Sequence, residues 1–124
     1  MRLLLDTHVA LWWLAGTSLA PATADAIADA TNEVFVSAAS VWEVEIKSAL
    51  GKLKVDADFV ATLRAEQIDP LPIAWAHAVE AGRLPAHHRD PFDRMLVAQA
   101  RVERLTLVTR DERFGAYDVA RLTA

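Results

Sequence analysis

The chain contains no cysteine, which excludes disulfide staples and thiolate zinc sites. It has no apolar run approaching the ~18 residues needed to span a bilayer, although 53% of its residues are hydrophobic. Arg2 is followed by only Leu3-Leu4-Leu5 before Asp6 interrupts, so no signal-peptide core forms and a cytoplasmic setting without a membrane is expected. Positive charge is not in surplus: 13 Lys and Arg stand against 17 Asp and Glu, a net −4. That balance excludes a protein whose task is to coat nucleic acid through a broad basic surface, and it still allows an enzyme acting on nucleic acid through a local site. Repeats and linkers are absent as well, so the 124 residues are expected to form one domain, 1–124, with a substantial core.

What the chain does have is a regular alternation. Leu3-Leu4-Leu5, Val34-Phe35-Val36 and Leu105-Thr106-Leu107-Val108 are short apolar runs of the kind buried parallel strands show. Pro70-Leu71-Pro72-Ile73 and the stretch from Val119 to Leu122 are candidate short strands. Helical stretches lie between them, with start and stop signals. Thr7 is placed to cap a short apolar helix ended by Gly16, and Pro21 opens a second helix running to Ala30. Ser40 and Glu43 read as a capping box for a third helix that ends at Gly51. Asp56 or Asp58 starts a fourth, with Phe59, Val60 and Leu63 on one face; Trp75 to Ala81 forms a fifth, ended by Gly82 and followed by a loop over 83–89. A sixth opens at Asp90, with Pro91 at the first helical position and Asp93 two residues on. Its body, Met95-Leu96-Val97-Ala98 with Ala100 and Val102, is too apolar to face water. Thr109 and Glu112 read as another capping box, ahead of Phe114 and Tyr117 in a short terminal element. This alternation predicts an α/β fold: a mostly parallel sheet covered by helices on both faces.

The strands run into acids: Leu5 into Asp6, Val36 through a short turn into Ser40 and Glu43, Val108 into Thr109 and Asp111. Ligand sites of open α/β sheets lie outside the carboxyl ends of the strands, and Asp90 and Asp93 can arrive there from the sixth helix. Each acid also has a local explanation as a cap or a partner of a helix dipole, worth about 1 kcal/mol. Convergence alters the balance. Two carboxylates ~4 Å apart repel by roughly 4 kcal/mol at an effective dielectric of 20, which exceeds what the caps return. A divalent cation removes that penalty, and an all-oxygen donor set suits Mg²⁺ or Mn²⁺ rather than zinc.

Four stretches, Leu4-Leu5-Asp6-Thr7-His8, Ser37-Ala38-Ala39-Ser40-Val41-Trp42-Glu43, His88-Arg89-Asp90-Pro91-Phe92-Asp93-Arg94 and Leu107-Val108-Thr109-Arg110-Asp111, closely resemble PIN domains. More specifically, they resemble the VapC-type ribonuclease toxins of prokaryotic toxin–antitoxin pairs, in motif order and over essentially the whole chain. The resemblance implies a three-layer α/β/α fold and a Mg²⁺-dependent endoribonuclease site, with Mn²⁺ as a substitute. It implies Asp6 as the first-strand metal ligand, Glu43 as the helix-borne acid, Asp93 as the acid ahead of an apolar helical run, and Asp111 as the last acid. Asp90 is extra to the shortest family pattern and occurs in a subgroup with an Asp-Pro-Phe-Asp-Arg stretch, where it shares or replaces the role of Asp93. In-line attack by metal-bound water, leaving 5′-phosphate and 3′-hydroxyl ends, is the implied chemistry. RNA is the implied substrate, and a small antitoxin protein and a second copy of the chain are the implied partners.

The flanking residues carry two readings each. The hydroxyls of Thr7, Ser40 and Thr109 are expected first as caps and second as groups that bind substrate or metal-bound water. Arg89 and Arg94 either hold phosphate or pair with the surplus carboxylates. Lys47, Lys52 and Lys54 form a basic rim or a solvated helix face. An acid-only site needs none of His8, His77, His87 and His88, and the His87-His88 pair is expected to be exposed in its loop. Trp12 and Trp13 diverge by about 100° on a helix, so one is expected at the surface, covering a loop or offering a groove to a partner; Trp42 and Trp75 are expected in the core. The competing function is a non-catalytic α/β interaction module whose acids only cap helices. A phosphatase of the haloacid dehalogenase type would want a second Asp two residues after the first, where this chain has Asp6-Thr7-His8.

Overall fold

Residues 1–55 and 58–124 are described by the computed structural model. The strand β1 (Arg2–Leu5) lies at the centre of a five-stranded sheet with β2 (Glu33–Ser37), β3 (Asp69–Leu71), β4 (Thr106–Thr109) and β5 (Arg121–Thr123), in the order β3-β2-β1-β4-β5. Every pairing is parallel. Leu3, Leu4 and Leu5 are fully buried, and the twofold period of a strand divides them between two cores. Leu3 and Leu5 face α1 (Thr7–Ala15), α2 (Pro21–Ala28), α3 (Ala38–Ala49) and α4 (Phe59–Ala65) through Val9, Ile27, Val44 and Phe59. Leu4 faces the layer of α5 (Trp75–Arg83) and α6 (Pro91–Glu103) through Leu96, Val97 and Ala100. The result is the expected α/β/α sandwich, and among the described residues no helix is long and apolar enough to cross a membrane.

The strand order reverses direction at β1: β2 and β3 extend to one side of it, β4 and β5 to the other. Because all strands are parallel, the carboxyl ends of β1, β2 and β4 share one edge, and the crevice between β1 and β4 is the topological switch point. The N-terminus of α6 reaches this edge as the sequence predicts. Asp90 Oδ1 accepts from the backbone N–H of Phe92 at 2.8 Å and of Asp93 at 3.3 Å, with Pro91 in the first turn. Gly16 and Gly51, at φ of +74° and +69°, terminate α1 and α3 in the left-handed conformation glycine adopts without strain.

Several local expectations are corrected. Ser37, not Ser40, caps α3, accepting from the Ala39 N–H at 3.0 Å; α3 follows β2 directly, which leaves Ser40 inside the first turn. Asp111 caps the 3-10 helix Glu112–Ala116, so Thr109 and Glu112 form no box. Thr7 lies within α1, whose N-cap position is Asp6 and carries no side-chain cap. Asp58 caps α4 through the Ala61 N–H, whereas Asp56 lies outside the described residues. α2 ends at Ala28 rather than Ala30, and α5 runs through Gly82 to Arg83. The tryptophans are reversed: Trp12 and Trp13 are both half-buried against the α1–α4 core, while Trp42 and Trp75 are 62% and 92% exposed. Trp42 rests edge-on against Phe92, centroids 5.4 Å apart, where α3 and α6 meet.

Candidate active site

Asp6 leaves the sheet at the end of β1, its backbone N–H still bonded to the Val108 carbonyl at 2.9 Å. The ladder therefore holds its Cα rigidly while its carboxylate lies beyond the edge. The side chain is buried, and Thr109 at the end of β4 donates its hydroxyl to Oδ2 at 2.9 Å. The same Thr109 oxygen accepts the Asp111 N–H at 3.0 Å, so one hydroxyl fixes the position of two acids. Burial raises the carboxyl of Asp6 above its ordinary range; the Thr109 bond opposes that and Glu43 adds to it.

Glu43 comes from the second turn of α3 and is 3% exposed. Its Oε2 pairs with Lys47 Nζ at 2.6 Å, one turn along the helix. Asp93 projects from the first turn of α6. Burial, and then the charges of Asp90, Asp6, Glu43 and Asp111, push its carboxyl up to about 7. That single shift records the convergence of acids from four segments. Asp111 is held oppositely: Arg113 clasps both its oxygens at 2.6 to 3.1 Å and keeps it below the usual carboxylate range.

These five carboxylates line a cavity of about 310 Å³. The same wall carries His8, Lys47, Arg110 and Arg113, with Trp12 beneath Arg110 at 4.3 Å. Of these five, Asp90 and Asp111 cap helix ends with their side chains; Asp6 makes no such cap, and Glu43 and Asp93 sit inside their helices. Helix capping thus accounts for two of the five acids. The fit to a divalent cation is good by donor chemistry: the donors are carboxylate oxygens, and Asp93 carries the mark of negative charge that Lys47 and Arg113 leave uncompensated.

The flanking residues are used differently from expectation. The hydroxyls of Thr7 and Ser40 are buried and bonded to each other at 2.8 Å, tying α1 to α3, and that of Thr109 is spent on Asp6 and Asp111. Arg94 points away from the acids and donates to the carbonyls of Ala81, Leu84, Pro85 and His88, closing the α5–α6 connection. The guanidinium satisfies the C-terminal carbonyls of α5 in place of a cap. Arg89 is exposed beside Asp90. His88, expected in solvent, is 6% exposed and stacks at 27° on Phe114 and Tyr117. Its Nε2 lies 3.9 Å from Asp93 Oδ2. No sequence signal marked it, because its burial is made by residues more than twenty positions later; the one hint was its position two residues before Asp90.

A parallel α/β/α domain with clustered carboxylates at the switch-point edge has an acidic, oxygen-donor site where open α/β sheets bind their ligands. The PIN domain family model matches residues 3–120, and the chain belongs to that family. It is 29% identical over 117 residues to Ribonuclease VapC22 of Mycobacterium tuberculosis, covering 92% of this chain and 90% of that protein. Among solved structures it resembles VapBC2 from Rickettsia felis bound to a promoter DNA fragment, with a TM-score of 0.75 and 15% identity over 99% of this chain and 98% of the other. It also resembles VapBC-5, a toxin–antitoxin system member from Mycobacterium tuberculosis, with a TM-score of 0.65 and 21% identity over 98% and 96% of the two chains.

Proposed function

We propose that this chain is a metal-dependent endoribonuclease of the VapC toxin type, cytoplasmic, and restrained by a small antitoxin protein. The observation that carries this reading is the convergence of five carboxylates on one cavity, where burial first and the neighbouring charges second push the Asp93 carboxyl up to about 7. The relatives support the rest: VapC22 is named a ribonuclease, and the solved neighbours are VapBC complexes. Asp6, Glu43, Asp93 and Asp111 would hold Mg²⁺ or Mn²⁺, with Asp90 able to share the work of Asp93. Such a cation supplies Lewis-acid neutralisation of phosphate oxygens and a water of lowered pKa.

The protein's own contribution is placement. Thr109 orients Asp6 and Asp111 together. Lys47 holds Glu43. Lys47, Arg110 and Arg113 on the cavity wall, with Arg89 outside it, offer cations to the phosphates flanking the cut, which would leave 5′-phosphate and 3′-hydroxyl ends. An apolar groove of about 590 Å³ between α3, α4 and β3, bordered by Trp42, Val60 and Pro70, would take an antitoxin segment. A homodimer is the proposed oligomeric state.

The test is cleavage of total RNA by the purified protein and by Asp6→Asn, with cut sites mapped. Loss of cleavage in the variant and in EDTA, with the fold retained, is the expected result; equal cleavage by both proteins, or cleavage in EDTA, refutes it. The same preparation separates the interaction-module reading, in which Mg²⁺ or Mn²⁺ leaves the melting temperature unchanged.

A further inference from the structure

His88 is a buried imidazole without a hydrogen bond. Both ring nitrogens are shielded from water, and neither has a partner among the described residues. A buried polar atom left unmatched is destabilising, so two on one ring ask for an explanation. The ring is not loosely held: Phe114 and Tyr117 stack on it at centroid distances of 5.1 and 5.6 Å, and the Tyr117 hydroxyl accepts the His88 backbone N–H at 2.8 Å. It is fixed with Nε2 toward Asp93, 3.9 Å from Oδ2, which is beyond hydrogen-bond reach. One donor atom each from His88, Asp93 and Asp111 lie within 4.8 Å of one another. Donors on opposite sides of a cation with ~2.2 Å bonds stand ~4.4 Å apart, so this spacing admits an ion between them.

We propose that His88 Nε2, buried behind the acidic cavity, is a nitrogen ligand which joins Asp93 and Asp111 of its lining in a mixed nitrogen–oxygen site for a transition-metal dication such as Mn²⁺. The inference rests on the metal-site reading above and changes its chemistry. Mg²⁺ demands oxygen and gains little from imidazole, whereas Mn²⁺ accepts both donors. Arg113, which clasps Asp111 and is itself exposed, has solvent to swing into when a cation takes its place. The aromatic pair supplies what metal-bound histidines usually obtain from a hydrogen bond at the other nitrogen, a fixed ring orientation.

The test uses the whole protein with Mn²⁺ as probe, read by electron spin echo envelope modulation. Nitrogen coupling from a directly bound imidazole is expected in the unmutated protein, changed in kind when the histidine nitrogens are isotopically labelled, so the result depends on no variant folding. The coupling is expected to persist in His8→Gln and to vanish in His88→Gln. In the latter, Mn²⁺ affinity should fall about tenfold and Mg²⁺ affinity, measured by competition, less than twofold. Bound Mn²⁺ without nitrogen coupling, or coupling that survives in folded His88→Gln, overturns the assignment of His88 and leaves the carboxylate site standing. Failure of Mn²⁺ to bind at all overturns the carboxylate site as well.

Discussion

The hydroxyl of Thr109 bonds to Asp6 Oδ2 at 2.9 Å across the seam between β4 and β1. It also accepts the Asp111 N–H, so a single oxygen ties the Asp6 carboxylate to the Asp111 backbone. Thr109→Val keeps the volume and removes the bond. Divalent-cation affinity should fall about 10- to 100-fold, the usual effect of removing a group that orients a ligand, with a stability loss of about 1–3 kcal/mol from the unmatched carboxylate. Thr109→Ser should restore most of the affinity. Calorimetric titration with Mn²⁺ measures both; an affinity unchanged in Thr109→Val contradicts the positioning role.

Asp93→Asn separates stability from function. Removing the charge crowded by Asp90, Asp6, Glu43 and Asp111 should raise the melting temperature of the cation-free protein, by about 3–6 °C per kcal/mol relieved. The same change should abolish RNA cleavage and most of the Mg²⁺-induced rise in melting temperature. A variant that melts lower than the parent in EDTA would show that the carboxylate is a structural partner.

The pH dependence follows from the same group. The folded carboxyl titrates near 7 against an ordinary 3.8, so its contribution to stability is fully present below about pH 4 and is lost as pH rises through 7, with a ceiling of about 4 kcal/mol. Asp6, also raised, acts in the same direction. Asp111, lowered by Arg113, acts oppositely and only at the acid end. In EDTA the protein should therefore melt lower at pH 8 than at pH 5, and saturating Mg²⁺ should narrow the difference, because the cation takes the place of the proton. Melting curves that are flat across this range in EDTA contradict the convergence of charge.

Arg94→Ala should unfold the α5–α6 connection locally without touching RNA affinity directly. The guanidinium bonds to carbonyls at 2.7 to 3.5 Å, and losing them should cost about 2–3 kcal/mol. Arg94→Lys should restore little, since one ammonium cannot reach a spread of carbonyls. Denaturant melts together with the KM for RNA decide between this role and phosphate binding, which would raise KM at unchanged stability.

What the sequence made legible was what local chemistry determines. Asp90-Pro91 announced the start of α6, Gly16 and Gly51 announced the ends of α1 and α3, and the apolar triplets announced the strands. The edge at which Asp6, Glu43, Asp93 and Asp111 meet could be anticipated because parallel strands share their carboxyl ends. The errors came from contacts made far along the chain. Trp42 reads as core until the N-termini of α3 and α6 are brought together and leave it on their rim. Arg94 beside an acid reads as a phosphate hook until folding carries its guanidinium to the carbonyls that end α5. Ser40 reads as a cap because Ser37-Ala38-Ala39 suggests a turn, whereas α3 starts directly after β2 and its cap lies three residues earlier, at Ser37. His88 is buried by a 3-10 helix and a tyrosine that no local pattern connects to it.

The placement of β1 between β2 and β4 also fixes the timing of assembly during synthesis. The strand meets β2 early, but Thr109, the bond partner of Asp6, lies 103 positions downstream of it. Asp6 and Asp111 can therefore become neighbours only after β4 has been synthesised. Shorter nascent chains, which lack β4 and Asp111, hold no assembled five-acid cavity.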